Sequence, residues 1–286
     1  MTGHEEMAAL RARFGLQVWR RICRHLDGIA VGTTVAALAD AGVLAAMARA
    51  HTPLEIDALA AAHQSPRGQF HLAMRLLEEQ GWAERDGAGD GGRKTVWLTE
   101  AGRAWLPYVD FYRLASASLA VAQDLFTALV RGGGFDDRRI DEFSAAVFGS
   151  GATGERVRDQ LWGPLAAAAI SGLKRSGRSG GSDAAVAAAF AVLKQQGWAR
   201  QEAGAALNEL NDAGRLAWEW AEQYDHSISY FPTFAAVGQT LFPATGHRHA
   251  KSGGLDRHLD RRLDIDFSGT VFSRTCRYSF LGLALP

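Results

Sequence analysis

The chain writes one pattern twice. Leu77-Glu78-Glu79-Gln80-Gly81-Trp82-Ala83 returns as Leu193-Lys194-Gln195-Gln196-Gly197-Trp198-Ala199, an offset of 116. Leu98-Thr99-Glu100-Ala101-Gly102-Arg103 answers to Leu210-Asn211-Asp212-Ala213-Gly214-Arg215 at 112, and Leu26-Asp27-Gly28 to Leu161-Trp162-Gly163 at 135. Three collinear matches in one order mark an internal duplication, so the chain must adopt a fold that can be built twice.

The first copy reads as three helices and a hairpin. Residues 29–49 carry apolar side chains at helical spacing, among them Leu38, Ala41, Leu44 and Met47. Thr52-Pro53-Leu54-Glu55 has the signals of a helix start and predicts a second helix over Leu54 to Ala62. Ser65-Pro66-Arg67 opens a third, which Gly81 should end in a left-handed cap. Trp82-Ala83-Glu84-Arg85 and Thr95-Val96-Trp97-Leu98 alternate like strands around a Gly/Asp-rich loop, and Thr99 is placed to cap a long final helix. That order predicts a winged helix-turn-helix. In the second copy the offset falls from 135 to 116, so 19 residues are gone and Lys174 to Asp183 reads as a Gly/Ser linker in their place. The expected fold is mainly α with two small β-hairpins: two winged-helix-like units, the second degenerate, joined by helices. The boundaries fall at 1–28 (an N-terminal helix), 29–130 (unit 1 with its long helix), 131–175 (connecting helices), 176–245 (unit 2) and 246–286 (linker and tail).

Composition narrows the function classes. Lys plus Arg equals Asp plus Glu at 31 each, so no net field draws the chain to nucleic acid or an anionic membrane. Two cysteines, Cys23 and Cys276, supply neither a disulfide framework nor metal spacing, which fits a reduced, cytoplasmic setting. No apolar run approaches the ~20 residues that span a bilayer, and the acidic start is wrong for a secretory signal.

A winged helix raises the question of DNA. The third helix offers Arg67, Gln69, His71 and Arg75, and the wing Arg93 and Lys94. Glu78, Glu79, Asp86 and Asp90 oppose them, and the corresponding helix of the second copy, Ala184 to Gln196, carries only Lys194. The expectation is that the chain does not bind nucleic acid, with a winged-helix transcriptional regulator as the alternative.

The segments Ala36 to Leu44, Leu59-Ala60-Ala61, Leu76 to Trp82 and Leu98 to Arg103 resemble the N-terminal domain of bacterial small-molecule O-methyltransferases. In that family a winged helix forms the dimer and roofs the active site. His258 to Ile265 with Ser268-Gly269, and Leu161-Trp162-Gly163-Pro164-Leu165, resemble the doubled region ahead of the catalytic domain in polyketide-synthase-associated methyltransferases. The resemblance implies a non-catalytic dimerisation and lid region, with S-adenosylmethionine on a missing or partner domain and a methyltransferase domain or polyketide synthase as partner. The family's cofactor and metal ligands lie in that other domain, so no residue here inherits a catalytic, cofactor-binding or metal role. A cofactor fold needs a strand running into a Gly-rich turn at a helix start. Arg131-Gly132-Gly133-Gly134-Phe135 instead follows a helix, and 17 residues remain after Gly269.

Other constellations read as structural. His247 and His249 with Asp256, His258 and Asp260 form the one cluster with metal-ligand chemistry, in a polar linker. Trp82, Trp97 and Trp105, and Trp198, Trp218 and Trp220, read as core. Tyr224-Asp225-His226-Ser227 makes no triad, because adjacent helical residues face different ways. The apolar face of residues 100–130, with Trp105, Tyr108, Val109, Tyr112, Leu119, Leu125 and Phe126, exceeds what one small domain needs and predicts a homodimer.

Overall fold

The computed structural model describes residues 3–87, 93–149, 154–177, 184–200 and 209–243. They form a mostly helical protein with one small antiparallel sheet. Two compact units are present. Unit one takes the chain up to Ile29 and Leu114–Pro232; unit two takes Ala30–Arg113 and the described residues from Thr233. The expected segment boundary between residues 28 and 29 lies close to the first of these divisions, yet it interrupts no element, since helix α1 runs unbroken over Gly3–Asp40.

Unit two holds the first repeat. After α1 the chain turns at Gly42, in left-handed conformation, into α2 (Val43–Arg49). Strand β1 (Leu54–Glu55), α3 (Ile56–Ala62), α4 (Arg67–Glu79), β2 (Ala83–Asp86), β3 (Thr95–Leu98) and α5 (Glu100–Trp105) follow. Leu54-Glu55, expected to open a helix, is therefore a strand. It pairs with β3 in the register Leu54↔Val96 and Glu55↔Thr95, giving the sheet order β1-β3-β2. The free edge of β3 outcompetes the local helix signal, and α3 starts two residues later than expected, with the Ile56 amide donating to the Lys94 carbonyl. Phe70, Met74 and Leu77 of α4, Val96 and Leu98 of β3, and Met47 of α2 fill the core. Trp82 and Trp105 stack at 3.9 Å with Tyr112 edge-on.

Unit one holds the second repeat around a buried helix. It contains the C-terminal part of α6 (Val109–Arg131), α7 (Arg138–Gly149), α8 (Glu155–Ser176), α9 (Ala184–Gln195), α10 (Asp212–Glu219), a 3-10 turn at Ala221–Tyr224 and α11 (Asp225–Ser229). From Asp159 to Leu173 every residue of α8 is buried, and Ala166 to Ala169 let its neighbours approach closely. Lys174, Arg175 and Ser176, expected in the linker, are its last turn. Where a second hairpin was expected, the described residues show a single antiparallel bridge, Ala199↔Leu210.

The caps of the two copies match bond for bond. Gly81 and Gly197 both take positive φ, 74° and 65°. The Trp82 amide donates to the Leu77 carbonyl at 2.9 Å, and the Trp198 amide to the Leu193 carbonyl at 2.8 Å, the longer bond of a Schellman cap in each copy. Thr99 caps α5 by accepting from the Gly102 amide at 2.9 Å, and Asn211 caps α10 from the Gly214 amide at the same distance. Gly102 and Gly214 face the Trp82 and Trp198 carbonyls so closely that an added Cβ would lie 1.9 Å from either oxygen.

The long apolar segment is spent inside the chain. Instead of one helix, residues 100–131 form α5, a 3-10 turn at Leu106–Tyr108 that contains Pro107, and α6. Leu119, Leu125 and Leu129 are buried in unit one, whereas Asp110, Asp124 and Arg131 are exposed. By length and composition the helical stretch Glu100–Arg131 could cross a bilayer, and α1 with α2 qualifies as a bent pair. Counting uninterrupted apolar residues missed both, because scattered polar residues still leave a mean hydropathy of 1.2 in the first.

Replacing Gly102 or Gly214 by Ala should cost about 1–3 kcal/mol through overpacking. Gly68→Ala, on a helical site with open space around it, should be neutral or stabilising by about 0.5 kcal/mol. Urea unfolding of the three variants checks this; equal effects would refute the close-approach reading.

Candidate functional site

The densest polar cluster of the described residues lies in unit one. His25 of α1 is fully buried, with Nδ1 2.7 Å from the Tyr224 hydroxyl and Nε2 2.9 Å from Gln196 Oε1. With an amide oxygen at Nε2, the proton sits on Nε2 and the Tyr224 hydroxyl donates to Nδ1. The Trp198 ring stands edge-on to the imidazole at 5.3 Å. Each partner is placed by local structure. The Gly197 turn ends α9 with Gln196 pointing inward, and the 3-10 turn after α10 delivers Tyr224.

A charged layer adjoins it along α1. Arg24 donates to Asp159 Oδ2 at 2.9 Å and pairs with Glu155 at 3.2 Å. Arg21 donates to the Gln196 carbonyl at 2.5 Å and lies 3.3 Å from both Asp159 and Glu155. Burial raises the Asp159 pKa, against the pull of Arg21 and Arg24. Glu155 is held below the usual range by Arg24. Loss of water, seconded by the charge of Arg21, lowers the His25 pKa to about 3, and burial raises that of Tyr224. A neutral imidazole with both nitrogens bonded and no exposed surface has no route to a substrate. The cluster locks α1, α8 and the ends of α9 and α10 together.

Sequence reasoning missed this cluster. Only the Leu26-Asp27-Gly28 match flagged the segment, and Gln196 hid inside a duplicated stretch whose first copy, Gln80, is only half-buried. Tyr224 was singled out for its neighbours, which do not join it. Asp225 instead accepts from Ser171 and pairs with Arg175 at 2.9 Å. The side chain of His226 is not among those described, and His247, His249, Asp256, His258 and Asp260 lie outside the described residues. Among the described residues no group of three His, Cys, Asp or Glu side chains could hold a metal.

Several of the cations weighed for DNA pair with acids of the same unit. Arg67 and His71 both reach Asp57, at 2.7 Å each, which lowers the Asp57 pKa chiefly through His71. Arg75 pairs with Glu79, Arg93 with Glu55, and Arg85 with Glu78. Gly132 and Gly133, the glycine run singled out in the sequence, follow the C-terminal end of α6 and not a strand. A further groove of about 780 Å³ opens beside Gly197, between Phe14 and Gln17 of α1 and Arg200, Leu210 and Arg215. Arg215 is already paired there with Glu6 at 2.6 Å.

A family model described as the AprA N-terminal domain matches residues 19–85. The match covers much of α1 and the first repeat through β2, a minority of the chain. No curated protein matches.

His25 makes stability depend on pH. The unfolded chain binds its proton near pH 6.5 and the folded chain only near 3, so stability present above pH 6.5 drains as pH falls. The slope approaches about 1.4 kcal/mol per pH unit, with Asp159, whose pKa is raised, opposing the loss above about pH 4 and Glu155, whose pKa is lowered, adding to it below about pH 4.5. Urea unfolding between about pH 7 and about pH 4.5 should show this in the wild type and far less in His25→Phe. Tyr224→Phe should cost about 1–3 kcal/mol by leaving Nδ1 buried without its donor. Equal pH profiles for wild type and His25→Phe would contradict the assignment.

Proposed function

We propose that this chain is a non-catalytic accessory region of a small-molecule or polyketide methyltransferase, acting through lid coverage of a catalytic domain that carries S-adenosylmethionine. The observation that carries this reading is the match of residues 19–85 to a domain described as N-terminal, over the repeat whose sequence resembles methyltransferase lid regions. The element order helix, β1, α3, α4, β2, β3 with sheet order β1-β3-β2 agrees with a winged helix. In such a region the unit offers shape and an apolar roof, while the cofactor site belongs to the partner. Self-pairing through Leu119 and Leu125 has lost its basis, since both are buried in the chain. The wing and the exposed face of α4 are left as the surfaces a catalytic domain would meet.

The runner-up, a winged-helix DNA-binding regulator, keeps the same fold but lacks unpaired cations on α4. Two titrations separate the readings. Calorimetry with S-adenosylmethionine should give no saturable heat for this chain alone, and cofactor binding at micromolar affinity would overturn the account. Fluorescence anisotropy with a mixed-sequence DNA duplex at low salt should show no salt-dependent complex. A complex weakened by salt and by Arg67→Ala with Arg75→Ala would favour the regulator.

A further inference from the structure

Helices α1 and α8, which open the two repeats, cross inside unit one, and the crossing is reciprocal. An added Cβ on Gly28 would lie 1.9 Å from the Gln160 carbonyl oxygen, and one on Gly163 would lie 2.2 Å from that of His25. Under the offset of 135 that relates the repeats, Gly28 corresponds to Gly163 and His25 to Gln160. Each contact is therefore the image of the other. Pro164 suits the approach, because it has no amide to donate to the Gln160 carbonyl that Gly28 covers. Exchange of equivalent residues across a contact is the signature of an isologous, two-fold interface, ordinarily found between two copies of a chain.

The charges decide which copies can pair. Arg24 and Asp159 are also 135 apart, so a two-fold axis sets equivalent positions against each other, and here they form an ion pair at 2.9 Å. Pairing of the first repeat with a first repeat from another molecule would set Arg24 against Arg24. Two second repeats would set Asp159 against Asp159. Only unlike copies bring opposite charges together at this buried position, and like charges there are costly.

We propose that the α1–α8 crossing is an internalised two-fold interface, in which the first repeat takes the second repeat of its own chain as the partner that a single-repeat protein would take from another molecule. The family match to residues 19–85 points the same way, since it takes in the crossing part of α1 and the first repeat as far as β2, and none of the second repeat. The inference does not depend on the methyltransferase reading. It makes the full chain a monomer whose crossing face is unavailable to a second copy.

The test uses the full chain. Sedimentation equilibrium should return one chain mass, 30.8 kDa, across a wide range of concentration, with a melting temperature independent of concentration. Gly28→Ala and Gly163→Ala should each lower the melting temperature, and the double variant should lose less than the sum, because both act at one crossing. Asp159→Arg should destabilise strongly, and adding Arg24→Asp should recover part of the loss. A dimer with concentration-dependent melting would overturn the proposal, as would full additivity of the glycine variants or a charge exchange that recovers nothing.

Discussion

Glycine pressed against a carbonyl is the contact on which both units depend. Gly28 and Gly163 set how close α1 and α8 come, and Gly102 and Gly214 set how α5 and α10 dock on the strand residues Trp82 and Trp198 lead into. At each site a methyl group would collide with backbone, which cannot swing aside as a side chain can. Gly81 and Gly197 add the other use of glycine, a left-handed turn. The duplicated stretches in the sequence are the segments that carry these positions.

Around that frame the polar interior is tightly closed. His25 spends both nitrogens on Tyr224 and Gln196, and Arg21 and Arg24 share two carboxylates. A buried ion pair contributes little net stability against a well-packed apolar alternative, but it penalises every arrangement that would separate or mismatch it. Here that selectivity acts on the helix crossing. The cluster has the shifted ionisation often seen in active sites, and its lack of solvent access shows why such shifts need geometry beside them.

Much of the fold was legible in the sequence, for reasons specific to each element. The Gly81 and Thr99 caps were readable because their chemistry is local. Leu54-Glu55 was misread because its strand character comes from β3, some forty residues away, and Thr52-Pro53 mimics a helix start. The long helix was broken at Pro107, which the apolar periodicity overran. The His25 cluster was invisible, since its members lie up to 199 residues apart and no local pattern joins them. The acidic opposition to the α4 cations was partly legible in Glu78 and Glu79. The decisive partner, Asp57 on α3, becomes apparent only when α3 and α4 are packed.

Two equivalent arginines record how the second copy survived its deletion. Arg103 donates to the Ala48 and Ala50 carbonyls and so closes the C-terminal end of α2. Arg215, its counterpart, lies in the copy whose described residues show no equivalent of α2, and it turns to Glu6 near the start of α1. The same stretch of α1 brings Trp19 edge-on to Trp220 and Gly15 against that ring. The segment preceding the first repeat thus serves the second, like a splint laid across the gap. The order of segments along the chain is not the order in which they support one another.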